Sequence, residues 1–336
     1  MAIKIGTCGW ARVYQGLPPS EREGRTNLQA YAEHYSIVEI NSSFYKLHRI
    51  STYRKWNRQI PPDFQFTLKC HRSVSHDERL KPTEKALETL KEMTQRVKAC
   101  DGEVLLIQTP GSLKAEEQVL RNAEHLLQKA ETEGVTLAWE PRGKSWEERQ
   151  TRRRLAKLLD KHKVAHATDP MKLDPVSLAN VVYFRLHGLP GYNLKYSYTN
   201  QELQKLYRKL EAYQNKAETV YIFFNNYAMY RDAQRLLKLH RTGKLPPSPF
   251  GPESVSWALR TFEDWPATKS KLQQECGGWY CWIAPNKSIR LKKILRYFRE
   301  GEYTDPDQVG EEAHRIWNRT DYPSLEQAQE SGGLSG

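Results

Sequence analysis

Residues 38–48 read VEINSSFYKLH, an apolar run that ends on ionisable and amide side chains. Val38 and Ile40 are β-branched and suit a buried strand, while Glu39 and Asn41 alternate with them close to where the chain leaves the core. A carboxylate and an amide at a strand end are either groups offered to solvent or one spoke of a polar ring. Which of these holds depends on how the other strands end.

Seven further runs of this kind, at Ile3–Thr7, Phe64–Lys69, Val104–Thr109, Val135–Glu140, Val164–Asp169, Val181–Leu186 and Val220–Asn225, join Ile37–Asn41 along the chain. The spacing leaves room for helices, and Pro82–Ala99, Glu116–Glu133, Gln150–Lys161 and Asn200–Asn215 have helical periodicity and composition. Buried strands alternating with helices imply parallel pairing with right-handed crossovers. Eight such units in about 240 residues match the size of a (β/α)₈ TIM barrel. An open doubly wound sheet announces itself by a Gly-rich phosphate turn after its first strand, whereas here that strand leads into Cys8-Gly9-Trp10. The expectation is therefore a barrel over residues 1–245.

Four prolines between Pro246 and Pro252 cannot continue a helix or central strand and mark a linker over 246–252. Residues 253–336 form an aromatic and basic extension, with a Ser/Gly-rich tail after Ser331 that reads as disordered. The chain has 336 residues and a formal charge of +12, but the extension holds 11 Lys and Arg against 13 Asp and Glu, so the excess lies in the barrel. Within the extension, Lys287–Arg299 carries Lys287, Arg290, Lys292, Lys293, Arg296 and Arg299 with no acid, beside Ile289, Leu291, Ile294, Leu295 and Phe298. That pattern predicts a helix packed on one side and basic on the other.

A basic balance favours polyanionic partners, nucleic acid above all, because neutralising phosphates releases counterions. No run of eighteen apolar residues is present, and Met1–Thr7 enters a strand with no charged leader, so the expectation is a cytoplasmic protein without a membrane partner. The five scattered cysteines read as free thiols, and Cys276 and Cys281 lack a second pair to complete a zinc site. Nothing in the pattern sets an oligomeric state.

In barrels of this type the chemistry sits where strands end. Here those ends carry Thr7–Trp10, Glu39 with Asn41, Lys69, Gln108, Glu140, Asp169, Arg185 with His187, and Asn225 with Asn226. Glu39 and Asn41 are thus one spoke of a ring facing a common pocket, and the catalytic candidates are Lys69, Glu39, Glu140, Asp169 and His187. Each has two readings. Lys69 is either the ion-pair partner of Glu39 or Glu140, or a desolvated amine able to form a Schiff base. Glu140 is either bridged to Arg142 or a general base, and Asp169 either caps the next segment or serves the site. Glu39, Glu140, Asp169 and His187 together form a lesser alternative, a divalent metal site, without a metal-binding motif to support it.

At these residues the chain resembles the DUF72 (YecE-like) family. The motifs are Gly6-Thr-Cys-Gly-Trp10, Val38-Glu-Ile-Asn-Ser-Ser-Phe-Tyr45, Phe66-Thr-Leu-Lys69, His76 with Arg79-Leu80, Gln108-Thr-Pro110, Glu140-Pro-Arg142 with Ser145-Trp146, Arg185-Leu-His-Gly188 and Phe224-Asn-Asn226. Cys8 stands where a Ser is usual, and Glu140-Pro-Arg142 replaces the commoner Glu-x-Arg-His. The resemblance implies a TIM barrel similar in outline to those of endonuclease IV and xylose isomerase. The extension is similar to an elaboration of archaeal-type members, for which it implies action on DNA carrying damaged bases.

Two functions follow as expectations. The first is a DNA-processing enzyme, an endonuclease or a glycosylase with lyase activity. Lys69 serves as the amine nucleophile, Glu39 and Glu140 move protons, and Arg185 and His187 meet phosphate or oxyanion. Trp10, Phe44 and Tyr45 act as aromatic platforms, and His76, Asn41, Gln108, Arg142, Asn225 and Asn226 line the substrate site. Arg152, Arg153 and Arg154, with Lys292, Lys293 and Arg296, track the nucleic-acid backbone. The second function uses the same ring in a hydrolase, lyase or isomerase of an anionic or phosphorylated sugar. Neither requires a cofactor.

Overall fold

The computed structural model describes residues 2–11, 24–246, 250–260 and 262–317. Parts of the expected linker (247–249) and the tail from 318, with its expected disorder, lie outside these residues. Eight parallel strands run β1 (Ala2–Thr7), β2 (Ile37–Ile40), β3 (Gln65–Lys69), β4 (Val104–Gln108), β5 (Thr136–Glu140), β6 (Ala165–His166), β7 (Val181–Leu186) and β8 (Thr219–Phe224). They neighbour one another in the order β6-β5-β4-β3-β2-β1-β8-β7. The ring closes where Thr168, just past β6, bridges Phe184 of β7; Thr168 N donates to Tyr183 O (3.1 Å) and Arg185 N to Thr168 O (2.9 Å). The expected (β/α)₈ barrel is thus the fold.

Both faces of the wall are buried, which is why the strands read as near-continuous apolar runs. The pleat sends Ile37, Leu106, Ala138, Ala167, Tyr183 and Phe223 into a core inside the barrel. Their neighbours Val38, Phe66, Leu105, Trp139 and Phe184 face the helices outside. Glu39, two residues beyond Ile37, therefore points inward with it. Among the described residues seven helices cover the outside: α1 (Asn27–Ala32), α2 (Ile50–Asn57), α3 (Glu84–Ala99), α4 (Glu117–Lys129), α5 (Arg149–Lys161), α6 (Asn200–Gln214) and α7 (Met229–Thr242). The four predicted segments are α3, α4, α5 and α6, trimmed at ends set by caps. Thr83 Oγ1 accepts from Ala86 N to start α3, and Thr199 with Glu202 forms a capping box on α6. The β6–β7 connection carries no helix.

The extension has its own core, built by α8 (Pro252–Leu259), β9 (Ala267–Thr268), α9 (Lys269–Cys276), β10 (Tyr280–Ala284), β11 (Lys287–Arg290), α10 (Lys292–Leu295), β12 (Glu302–Tyr303) and α11 (Pro306–Trp317). The helix expected over Lys287–Arg299 is not formed as one element. Lys287–Arg290 instead pairs antiparallel with β10, because alternation of Ile289 and Leu291 with Ser288 and Arg290 satisfies a strand period, leaving a single turn in α10. No helix among the described residues is long and apolar enough to cross a membrane.

The hairpin of β10 and β11 docks on the barrel at the end where strands finish. Pro285 O accepts from Ser197 N (2.9 Å), and Trp282 Nε1 donates to Lys195 O (2.8 Å). Arg231 of α7 lies between the rings of Trp257 (5.0 Å) and Trp282 (4.6 Å), a buried cation–π stack across the joint. The loop so anchored begins at Gly188, which turns at φ +80° directly after β7. A Cβ there would lie 2.0 Å from Asn193 O and 2.6 Å from Tyr196 Cβ. Gly188→Ala is therefore expected to lower stability by about 2–4 kcal/mol in denaturant unfolding; a change under about 0.5 kcal/mol would contradict this close approach.

Candidate active site at the mouth of the barrel

Arg185 points from β7 into the lumen and is completely buried. Such a guanidinium survives burial only when its donors are matched by charge. Its Nε and Nη2 grip Glu39 in a bidentate pair (2.9 and 2.8 Å), and its Nη1 bonds Glu140 Oε2. Nη2 also faces Cys8 Sγ at 3.6 Å. Tyr183, one inward step earlier on β7, donates from its hydroxyl to Glu39 Oε2 (2.9 Å) and shares a hydrogen bond with Thr67 Oγ1 (2.8 Å).

A second guanidinium completes the cluster. Arg142 Nε donates to Glu140 Oε1 (2.7 Å), and its Nη2 meets His187 Nε2 at 2.8 Å. Because Arg142 can only donate, His187 Nε2 accepts and its ring proton resides on Nδ1. Burial pushes the His187 pKa well below its ordinary value; Glu140 opposes this, but Arg185, Arg142 and Lys172 add to it. Burial alone would raise Glu140, yet Arg142 and Arg185 hold it well below the usual carboxylate range. Asp169 accepts from Met171 N (3.0 Å) and His187 N (3.4 Å) and pairs with Lys172 (3.2 Å). Burial nevertheless leaves its pKa raised.

Lys69 ends β3 beside this cluster and joins none of its ion pairs. Among the described residues its Nζ has no hydrogen-bond or ion-pair partner and sits 4.0 Å above the Phe44 ring. Burial pushes its pKa down to about 8. Arg185 and Arg142 act the same way, while Glu39 and Glu140 oppose. His76 packs edge-on against Phe44 (ring centroids 4.9 Å) and bonds Ser75 Oγ (2.9 Å). Burial and the Lys69 charge lower its pKa, so it is a neutral base near pH 7.

Lys69, Glu39, Glu140, Asp169, His187, Arg142, Arg185 and His76 are thus brought together, as expected, with Gln108 buried in register beside Glu140. The proton-transfer role expected of Glu39 and Glu140 does not fit, because the oxygens of both are already engaged by guanidinium donors. Nor is Arg185 open to a substrate anion. Arg142 is, since its Nη1 has no partner among the described residues. A metal among Glu39, Glu140, Asp169 and His187 is not favoured either, since among the described residues no three His, Cys, Asp or Glu side chains converge to hold one.

Other expected site residues do structural work. Trp10 packs its ring on Trp56 (5.2 Å) and Phe66 (6.4 Å) outside the wall, so it is not a platform in the mouth. Asn41 Nδ2 ties β2 to β1 through Cys8 O (3.1 Å), and Asn226 Nδ2 is bound to Tyr196 O (2.7 Å) and Asp232 (2.8 Å). Asn225 is half-buried at the rim and Tyr45 is exposed. Of the expected backbone track, Arg152 donates to Asp174 O (2.8 Å), Arg154 is paired with Glu117, and Arg153 is exposed. Lys292 and Arg296 are exposed on the extension and Lys293 is partly covered. Sequence reading missed Tyr183, although it lies two residues before Arg185 and so shares its inward face. It also missed Tyr192, whose ring stacks on His187 (5.0 Å) beneath Arg142 (4.9 Å) and which no periodicity marks.

This geometry defines a (β/α)₈ barrel with a buried charge cluster at its C-terminal mouth and, beside it, a lysine without an ion-pair partner among the described residues. The chain belongs to the DUF72 family: the sequence profile described as "Protein of unknown function DUF72" matches residues 4–252. Over 77 residues the chain is 32% identical to UPF0759 protein YunF of Bacillus subtilis (strain 168), spanning 23% of this chain and 27% of that protein. Over 79 residues it is 34% identical to UPF0759 protein YecE of Escherichia coli (strain K12), spanning 24% and 27% respectively. The chain thus spans about a quarter of the length of these curated relatives. The crystal structure of the DUF72 family protein TM1631 from Thermotoga maritima MSB8 superposes with TM-score 0.58 at 21% identity, covering 72% of this chain and all of that one. The likeness is one of fold.

Two outcomes test the cluster. Arg185→Met leaves two carboxylates facing each other in the lumen and is expected to cost about 3–5 kcal/mol in unfolding experiments, partly restored by adding Glu39→Gln. Lys69→Met is expected to stabilise the protein at pH 7 by about 2–3 kcal/mol, because holding an ammonium whose pKa has fallen from 10.5 to about 8 opposes folding. The sign follows from proton binding. Below about pH 8 folded and unfolded chains are both protonated and the penalty is complete; between about 8 and 10.5 only the unfolded chain holds the proton, so parent stability rises toward the variant's. Equal stabilities of parent and variant at pH 7 would contradict the desolvated lysine.

Proposed function

We propose that the protein is a DNA-processing enzyme that uses the Lys69 amine as a nucleophile at sugar C1′, as a glycosylase with lyase activity does. The observation that carries this reading is the desolvated Lys69 amine, its pKa lowered to about 8, which sits over the Phe44 ring without a hydrogen-bond or ion-pair partner among the described residues, beside a cluster whose carboxylates are already engaged. A neutral amine is needed for attack at carbon, and a depressed pKa supplies it near neutrality.

At an aldehydic C1′ the Lys69 nitrogen forms the C–N bond and the carbonyl oxygen takes up a proton; loss of water gives the iminium. A base then removes a C2′ proton to give the enamine; as the iminium re-forms, the C1′–C2′ electron pair moves into a C2′=C3′ double bond and the C3′–O bond breaks, its electrons leaving with the 3′ phosphate. Hydrolysis of the resulting imine frees the amine. His76, neutral and packed on the same Phe44 ring as Lys69, is our candidate proton acceptor, and Arg142 Nη1, without a partner among the described residues, is our candidate for a phosphate oxygen. The +12 charge and the acid-free run Lys287–Arg299 support a polyanionic substrate.

A second reading, an enzyme of small anionic sugars, is favoured by one observation. Two cations of α5 are paired with acids of α4, through Arg154–Glu117 and Lys161–Glu124 (2.6 Å), which weakens that side as a backbone track.

Borohydride reduction in the presence of abasic oligonucleotide is expected to leave a covalent adduct on Lys69, with a trapping rate that rises with pH and levels off above about 8. Lys69→Ala should abolish the adduct. An adduct with a free sugar-phosphate aldehyde but none with DNA would favour the second reading, and an adduct that persists in Lys69→Ala would contradict both.

A further inference from the structure

Most of the tyrosines of this chain are buried or half-buried; Tyr45, Tyr192 and Tyr227 stand out at 73%, 57% and 50% exposed, the large apolar side chains most open to solvent among the described residues. All three lie on loops directly after strands, at the C-terminal mouth: Tyr45 after β2, Tyr192 after β7 and Tyr227 after β8. These strands fall within the arc β2-β1-β8-β7 of the barrel, while Lys69, Glu140 with Arg142, and Asp169 come from the opposite arc, β3 to β6. The exposed rings therefore all come from one arc, whereas the charged groups come from both, since Glu39 lies on β2, Arg185 on β7 and His187 directly after β7.

Each ring is tied to the reactive centre or to its neighbour. Tyr45 stands edge-on to Phe44 (4.9 Å), the ring that lies under Lys69. Tyr192 stacks on His187 and carries Arg142 over its face, as described above. Tyr227 N donates to Leu194 O (2.7 Å), joining its loop to the one that holds Tyr192. That loop is in turn anchored to the extension hairpin through Lys195 and Ser197, and the hairpin's second strand opens the acid-free run Lys287–Arg299. Lys287, Arg290, Lys292 and Arg296 have no acidic partner among the described residues. A ligand at the 57% exposed Tyr192 thus meets an aromatic ring at the mouth, on a loop tied to the hairpin whose second strand opens this basic run.

The geometry points to Tyr192 and Tyr45 as a stacking subsite for the unpaired bases that flank the reacting sugar in a single-stranded or locally opened strand, with the extension beside it receiving phosphates. Aromatic faces accept any base, whereas a small sugar phosphate has no base to offer them. The identity of the central sugar rests on the function proposed above; the stacking does not.

The test measures affinity at low salt for short single strands that carry one central tetrahydrofuran abasic analogue. In one set the analogue is flanked by bases, and in the other by further tetrahydrofuran residues. The base-flanked strand is expected to bind about ten- to a hundredfold tighter, and Tyr192→Leu or Tyr45→Leu should remove about tenfold or more of that preference, with Tyr→Phe retaining it. Equal binding of the two strands, or leucine variants that bind like the parent, would overturn the subsite even if borohydride trapping succeeds. A tyrosine-dependent preference without any trapped adduct would support the subsite and overturn the amine chemistry.

Discussion

The mouth of this barrel is organised by one buried guanidinium. Arg185 stands in a lumen walled by Ile37, Leu106, Ala138 and Phe223, where an unpaired cation is untenable. Glu39 and Glu140 resolve that by offering three hydrogen bonds from two sides, and Arg142 takes the remaining oxygen of Glu140. Burial does most to lower the Lys69 pKa, and the cluster adds to it. The carboxylates that would hold its ammonium are already shared by two arginines, whose positive charge then acts against protonation of a third cation nearby. The same constraint keeps His187 neutral and fixes its tautomer.

The extension bears on this site through the loop after β7. That loop turns at Gly188, presents Tyr192 over His187, and is held at Lys195 and Ser197 by the β10–β11 hairpin. Arg231 between Trp257 and Trp282 makes the joint a packed one, not a tether. An element outside the barrel thereby sets the position of a ring inside its mouth.

Much of the fold was legible because parallel strands buried on both faces leave an unbroken apolar run, and eight such runs appear at the right spacing. The polar strand ends were legible for the same reason, as Glu39, Lys69, Glu140 and Arg185 interrupt strong apolar context. Their partnerships were not. Strand-end position does not say that Arg185 lies deeper than Arg142, and so does not say whether Glu39 and Glu140 are engaged by arginines or by Lys69. Trp10 misled because a residue just past a strand end can turn outward as easily as inward, and Trp56 offered it a partner. The run Lys287–Arg299 fits two periods at once, and pairing with β10 decided for a strand. Tyr192 carries no local signal, since its role arises from the fold of a loop pinned by a distant hairpin.

The account stands or falls on the protonation of one amine. An NMR titration that follows the Lys69 side-chain carbon and nitrogen, assigned by comparison with Lys69→Met, measures it without any substrate. The account predicts a midpoint of about 8, moved upward when Arg142 is replaced by Met. A midpoint near the ordinary value of 10.5 would contradict it.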